Sequence, residues 1–169
     1  MRARDRDRPD GAGAQFGLRH GVVGIGDVLP RAPRSLEEAV RAAAETHGAK
    51  AGRMVDRFAA LPVGTAVWTR GADGTYWLGR IAGAWRYDDS PAARRAGIHH
   101  VRPAVWLDRP FGEVELPGAV PATFARGGRN LQRIRSDEAR ELTDRLWAAD
   151  ADAMDRFAAA TATGREGDA

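Results

Sequence analysis

The 169-residue chain has no cysteine, and its 26 basic residues include a single lysine, Lys50. Without thiols there is no disulfide framework and no thiolate chemistry, which suits the cytoplasm, where we expect the chain to work. No apolar run approaches the roughly 20 residues of a membrane-spanning helix. The N-terminal stretch MRARDRDRPDGAGA is charged but lacks the apolar segment of a secretory signal. Lys50, in GAKAGR, lacks the paired acids of a PD-(D/E)xK nuclease site. Asn130 is the sole asparagine and has no histidine near it, as an HNH nuclease site would need. There is no glycine-rich loop closing on Gly-Lys-Ser or Gly-Lys-Thr to cradle a phosphate. The four histidines, His20, His47, His99 and His100, have no helical metal-ligand spacing. Nothing marks a serine or threonine nucleophile. These gaps point away from catalysis, and no cofactor or metal is expected.

What is present suits one domain with tails: hydrophobic residues make up 43%, enough for a core. We expect residues 1–15 to be a disordered tail, 16–150 a folded domain, and 151–169 the end of a C-terminal helix followed by a disordered acidic tail. The net charge of +3 conceals a polarity. From Ser136 onward nine acids face four arginines, whereas residues 1–135 hold 22 basic and 14 acidic side chains. The block RGGRNLQRIR, residues 126–135, carries four arginines and no acid. Such a block suits phosphate contacts, and equally a solvated face.

Periodicity gives the coarse architecture. HGVVGIGDVLP reads as a strand ending in a tight turn near Asp27. SLEEAVRAAAETHG reads as a helix with Ser35 as N-cap, Glu38 completing a capping box, and Gly48 as stop. Residues 51–61 form a second helix ended by Pro62. A strand, a GADG turn and one long strand over about 75–87 follow. SPAARRAGI reads as a loop. HHVRPAVWLDRP is another strand, with Pro103 at an edge or bulge. GEVEL and LQRIR are short strand candidates, and Ser136 caps a closing helix. The fold class is α+β: a small antiparallel sheet, expected to curl into a barrel, with helices after the first strand and at the end.

The long strand, GTYWLGRIAGAWRYDDS, is rich in rings and short of bulk. Alternation puts Trp77, Gly79, Ile81, Gly83 and Trp85 on one face. We expect Trp77 and Ile81 to face the core. Trp85 stands at the far end between glycine, arginine and acid. Gly83 strips the side chain two residues earlier on that face, as at a bulge or where a ligand approaches. A flipped-out base needs a flat ring to stack on and nearby backbone to meet its edge. Of the adjacent His99 and His100, opposite strand faces imply one core-facing ring and one facing solvent or phosphate.

In order, GVVGIGDVLP, VGTAVWTRG, YWLGRIAGAWRYDD and HHVRPAVWL resemble the motifs of EVE-type domains of the PUA-like superfamily, relatives of YTH and SRA domains. The resemblance covers about residues 16–136, and GRIAGAWRY followed by RPAVWL carries most of it. It implies a PUA-like barrel that flips a modified base, typically 5-methylcytosine in duplex DNA, into an aromatic pocket. Members are often joined to nucleases of modification-dependent restriction systems, so a separately encoded nuclease is an implied partner. The pocket candidates are Ile25, Gly26, Asp27, Pro30, Trp68, Gly83, Trp85 and Phe124. Phosphate candidates are Arg86, Arg94, Arg95, Arg126, Arg129 and Arg133. Asp27 stands where many relatives carry tryptophan. It can accept from the exocyclic amine of cytosine or simply serve the turn. A reader of modified RNA and a protein-interaction module are the alternatives.

Overall fold

Residues 66–81 fold as their pattern dictates, with β2 (Ala66–Arg70) and β3 (Tyr76–Ile81) pairing antiparallel across the GADG turn. Asp73 Oδ1 accepts from the Thr75 amide and hydroxyl, which tightens that turn. The structure, a computed structural model, describes residues 11–126 and 131–166. Besides this pair it contains α1 (Ala12–His20), β1 (Val22–Ile25), α2 (Leu36–His47), α3 (Ala49–Ala59), β4 (Arg86–Tyr87), α4 (Pro91–Ala96), β5 (His100–Trp106), α5 (Ala119–Ala125), α6 (Asp137–Ala148) and α7 (Ala151–Glu166). The sheet order is β1-β5-β3-β2, with β4 also on β5, and every pairing is antiparallel. The result is an α+β fold whose curled sheet makes a half-barrel.

Helices cover the sheet in three apolar clusters. Ile25, Leu29, Val55 and Phe58 bind α2 and α3 to the sheet, with Trp85, Tyr87 and Leu131 at the margin. Phe16, Val22, Ile98 and Val101 join α1 and α4. Tyr76, Leu78, Phe111 and Trp147 form the third, under α5, α6 and α7.

The α2 cap forms: Ser35 Oγ accepts from the Glu38 amide at 3.1 Å. Glu38 reaches back to the Arg34 amide at 2.9 Å, one residue beyond the usual box. Elsewhere the structure corrects the reading. The first helix begins at Ala12, inside the expected tail, because Ala14 and Phe16 are buried. SPAARRAGI is not a loop: Ser90 caps α4, Pro91 opens it, and Gly97 closes it with left-handed backbone. GEVEL forms a single 3-10 turn, Glu113–Glu115, because the Glu115 carboxylate turns back on the Gly112 amide at 2.7 Å. LQRIR has no regular structure. Its Leu131 packs on the α2–α3 cluster and Ile134 on the α6–α7 cluster, so the segment bridges two layers. The closing helix is two helices. Asp150 breaks it and caps α7 by accepting from the Ala153 amide at 2.8 Å. Residues 151–166 form α7, anchored by the buried Ala153 and by Phe157, which lies edge-on to Trp147 at 6.0 Å.

The long strand is also broken. β3 ends at Ile81 and β4 starts at Arg86. Pro103 explains why. It lies in central strand β5, where its carbonyl accepts from the Ala82 amide at 2.8 Å. In an antiparallel strand a residue's N–H and C=O point the same way. The N–H that proline lacks would therefore face the 82–85 link, and the ladder stops there. Ile81 is buried as expected, but Trp77 is half-exposed, and Tyr76 and Leu78 fill the core beside it. Gly79 leaves room for the Trp106 indole: a Cβ there would lie 2.6 Å from the ring.

Candidate functional site

The break in the long strand places Trp85 on an irregular link beside the end of β5. There the indole stacks on His100, with ring centroids 6.0 Å apart and planes at 27°. His100 pairs with Ile25 of β1 on one side and Tyr87 of β4 on the other. Tyr87 meets the His100 ring edge-on at 5.3 Å, and its hydroxyl accepts from the Leu29 amide at 2.8 Å. That bond ties the 26–30 turn to β4. Asp27, in this turn, has φ 84°, and it is buried. Left-handed backbone is uncommon outside glycine, although Asp tolerates it better than most, and such positions cluster at functional sites. His47, at the end of α2, bonds the Val28 carbonyl at 2.7 Å and holds the turn from outside.

The polar atoms of this group are unusual. Trp85 Nε1 is buried without a hydrogen-bonding partner, and both ring nitrogens of His100 are buried, close to the Asp27 backbone. Burial drives the His100 pKa down from 6.5 to about 4; nearby His99 and His47 push the same way, and the Asp27 backbone opposes them. His100 is thus neutral at physiological pH, with one N–H and one lone pair to offer. His99 is buried too, against the expectation that one histidine of the pair faces outward. Its ring stacks on Tyr87 at 5.6 Å and its Nδ1 lies 3.0 Å from the Asp88 carbonyl.

The expected pocket residues divide. Ile25 and Trp85 share the α2–α3 cluster, with Gly26 and Asp27 in the adjoining turn and Pro30 exposed at its end. Trp68 and Phe124 do not join them. Trp68 packs edge-on to Phe111 and donates to Thr143 Oγ1 at 3.2 Å, and Phe124 packs edge-on to Tyr76. Both lie in the α6–α7 cluster, so neither covers a ring held by Trp85. Gly83 serves internal packing: a Cβ would come 2.8 Å from the Pro103 ring, and its carbonyl accepts from Arg102.

Arg102, which sequence reading passed over, is the keystone of this region. Its buried guanidinium donates to Gly83 at 2.8 Å, to Ala59 at 3.1 Å, and to the carbonyls of Phe58 and Leu61. Burial lowers its pKa. The clue lay in an arginine two residues after a buried histidine, on the same strand face.

The expected phosphate ligands Arg86, Arg94 and Arg95 are exposed on β4 and α4, just past Trp85. Arg86 meets Asp88 at 3.2 Å and Arg94 pairs with Asp89. Exposed pairs of this kind contribute only about 0–1 kcal/mol, so a phosphate can exchange with the carboxylate at small cost. Arg126, at the end of α5 beside the α6–α7 cluster, and Arg133, two residues after Leu131, are both exposed. Arg129 lies outside the described residues. Among the described residues no cluster of His, Asp or Glu is placed to hold a metal, and no helix is long and apolar enough to cross a membrane. Compared with protein-family models, curated proteins and solved structures, the chain matches none.

Proposed function

We propose that the chain is a PUA-like, EVE-type reader of a modified base, with 5-methylcytosine in duplex DNA as its ligand. The observation that carries this reading is Trp85, half-buried at the broken edge of the sheet, stacked on a buried, neutral His100 beside the strained Asp27 turn. The indole supplies a stacking platform, worth about 1–3 kcal/mol per base by alanine substitution. That roughly offsets the few kcal/mol needed to extrude a base from its duplex. The exposed Val28 and Pro30 of the adjoining turn cover the second face of the ring. Arg86, Arg94 and Arg95 on one side and Arg126 and Arg133 on the other hold the flanking phosphates, which gives affinity without sequence preference.

The test is a mobility shift with one duplex, carrying either 5-methylcytosine or cytosine, and an RNA carrying the methylated base. Tighter binding of the methylated duplex supports the reading. Preference for the methylated RNA assigns the same pocket to RNA, and equal binding of all three removes the reading.

A further inference from the structure

The turn that borders the site runs on into Pro30-Arg31-Ala32-Pro33-Arg34 before Ser35 caps α2. Three contacts pin its backbone. The Leu29 amide donates to the Tyr87 hydroxyl at 2.8 Å, His47 Nε2 lies 2.7 Å from the Val28 carbonyl, and the Arg34 amide donates to Glu38 at 2.9 Å. Pro30 and Pro33 fix two further dihedrals. This firmly held segment nonetheless puts both its arginines into solvent, with side chains 86% exposed at Arg31 and 93% at Arg34. Each faces Glu38, at 3.7 Å and 3.6 Å, too far for a good hydrogen bond. The Glu38 carboxyl is held below its usual pKa range first by the Arg34 amide, and the two guanidinium groups act after it. The ion pairs of Arg86, Arg109, Arg140 and Arg156 are tighter, all at 3.2 Å or less, and those arginines are less exposed.

We infer that Arg31 and Arg34 form a further phosphate-binding arm, which docks the backbone of the duplex along the turn beside Trp85. This rests on the reading of the chain as a base reader and adds the residues that hold its ligand on the turn side. Their place in the fold supports it. Leu29 touches Tyr87, and Tyr87 follows Arg86 directly. Arg31 stands two residues past Leu29, so at most about 7 Å of chain separates it from that contact. Successive phosphates of one strand advance about 3.4 Å along the helix axis, so Arg31 and Arg86 can meet phosphates of nearby nucleotides. A guanidinium offers five donors in a fork that suits phosphate, and a slack pair with one carboxylate leaves most of them to water. Exposed pairs of this kind add little to stability, so exchanging Glu38 for a phosphate costs little. The pinned backbone also means that little of the loop remains to be ordered on binding. Each phosphate neutralised releases counterions, which an isolated acidic side chain does not.

The test uses the full chain, the double variant Arg31→Ala with Arg34→Ala, and Glu38→Gln. Affinities for one duplex, methylated or unmodified, are titrated from low to high salt, and thermal melting is followed in parallel. The double variant should weaken both duplexes alike, by about tenfold or more at low salt, and flatten the salt dependence by about one unit per lost contact. Its ratio of methylated to unmodified binding and its melting temperature should stay close to wild type. Glu38→Gln keeps an acceptor for the Arg34 amide and removes the competing charge. It should raise both affinities, by about two- to fivefold, the scale of an exposed ion pair. Wild-type affinity and salt slope in the double variant, with the methyl preference intact, overturn the inference and leave the base-reader reading standing. A loss confined to the methylated duplex makes the two arginines readers of the base and also overturns it. So does a weakened affinity with an unchanged salt slope and a lowered melting temperature, which makes them structural. Equal wild-type affinity for the two duplexes removes the base-reader reading, and the slope then decides the arm by itself.

Discussion

His100 gives the residue scale its sharpest consequence. Its folded-state pKa of about 4 lies below the ordinary 6.5, so the unfolded chain binds the proton more tightly than the folded one. The contribution to stability is therefore complete above about pH 6.5 and is lost as pH falls through about 4. Between pH 7.5 and 4.5 the loss comes to about 2–3 kcal/mol, at 1.36 kcal/mol per unit. Urea titrations should show wild type losing about that much more than His100→Phe over this range. Parallel losses would mean that His100 titrates normally and is not sealed from water. The neighbours that share its surroundings are His99, His47, Tyr87 and the Asp27 turn. The variant isolates His100 from them and from the carboxylates that titrate near pH 4. Trp77 marks the opposite case. It is only partly buried, so its truncation costs less than that of a core aromatic.

At the scale of elements, the decisive contact joins a helix end to a strand break. The last carbonyls of α3 have no partners within the helix, and Arg102 supplies donors to them and to Gly83 together. The guanidinium also places positive charge at a helix C-terminus, where the dipole favours it. Arg102→Met keeps the apolar stem and strands several buried carbonyls. It should cost about 3 kcal/mol, summing lost charge-assisted bonds and unsatisfied acceptors. Denaturant unfolding measures this, and a loss below about 0.5 kcal/mol, the scale of a surface substitution, would contradict the role assigned.

The same region shows what the sequence made legible. Ser35, Glu38 and Gly48 announced α2, and GADG announced the β2–β3 hairpin, because caps and turns are local chemistry. The end of β3 was not legible from its own residues. YWLGRIAGAWRY alternates well enough to continue, and it stops because of Pro103, on a different strand. Trp68 and Phe124 were misplaced for a related reason: an aromatic ring shows its size in sequence but not which of three clusters claims it. Ile25 and Trp85 share a cluster because β1 and β4 both pair with β5 around His100 and Val101. Arg102 was not legible, since its partners lie about 40 residues away in sequence.

For the whole molecule, the governing feature is the separation of charge. The acid-rich end forms α6 and α7, packed on the cluster around Trp147 and Phe157, away from the α2–α3 cluster that borders Trp85. Arg86, Arg94 and Arg95 lie exposed on β4 and α4, just past Trp85. Arg126→Ala with Arg133→Ala should weaken methylated and unmodified duplexes alike and flatten the salt dependence by about one unit per lost phosphate contact. Binding titrated from low to high salt reads that slope. A loss confined to the methylated duplex would instead make these arginines readers of the base.

The central claim is that Trp85 holds a flipped, modified base. Titrating wild type and Trp85→Ala with one duplex, methylated or unmodified, tests it most directly. One methyl in a fitted apolar pocket discriminates by about 1–3 kcal/mol, so wild type should prefer the methylated duplex by about tenfold or somewhat more. Trp85→Ala should lose most of that preference and keep the weak, salt-dependent binding common to both duplexes. If Trp85→Ala retains the full wild-type preference, the base is held elsewhere and the account is wrong.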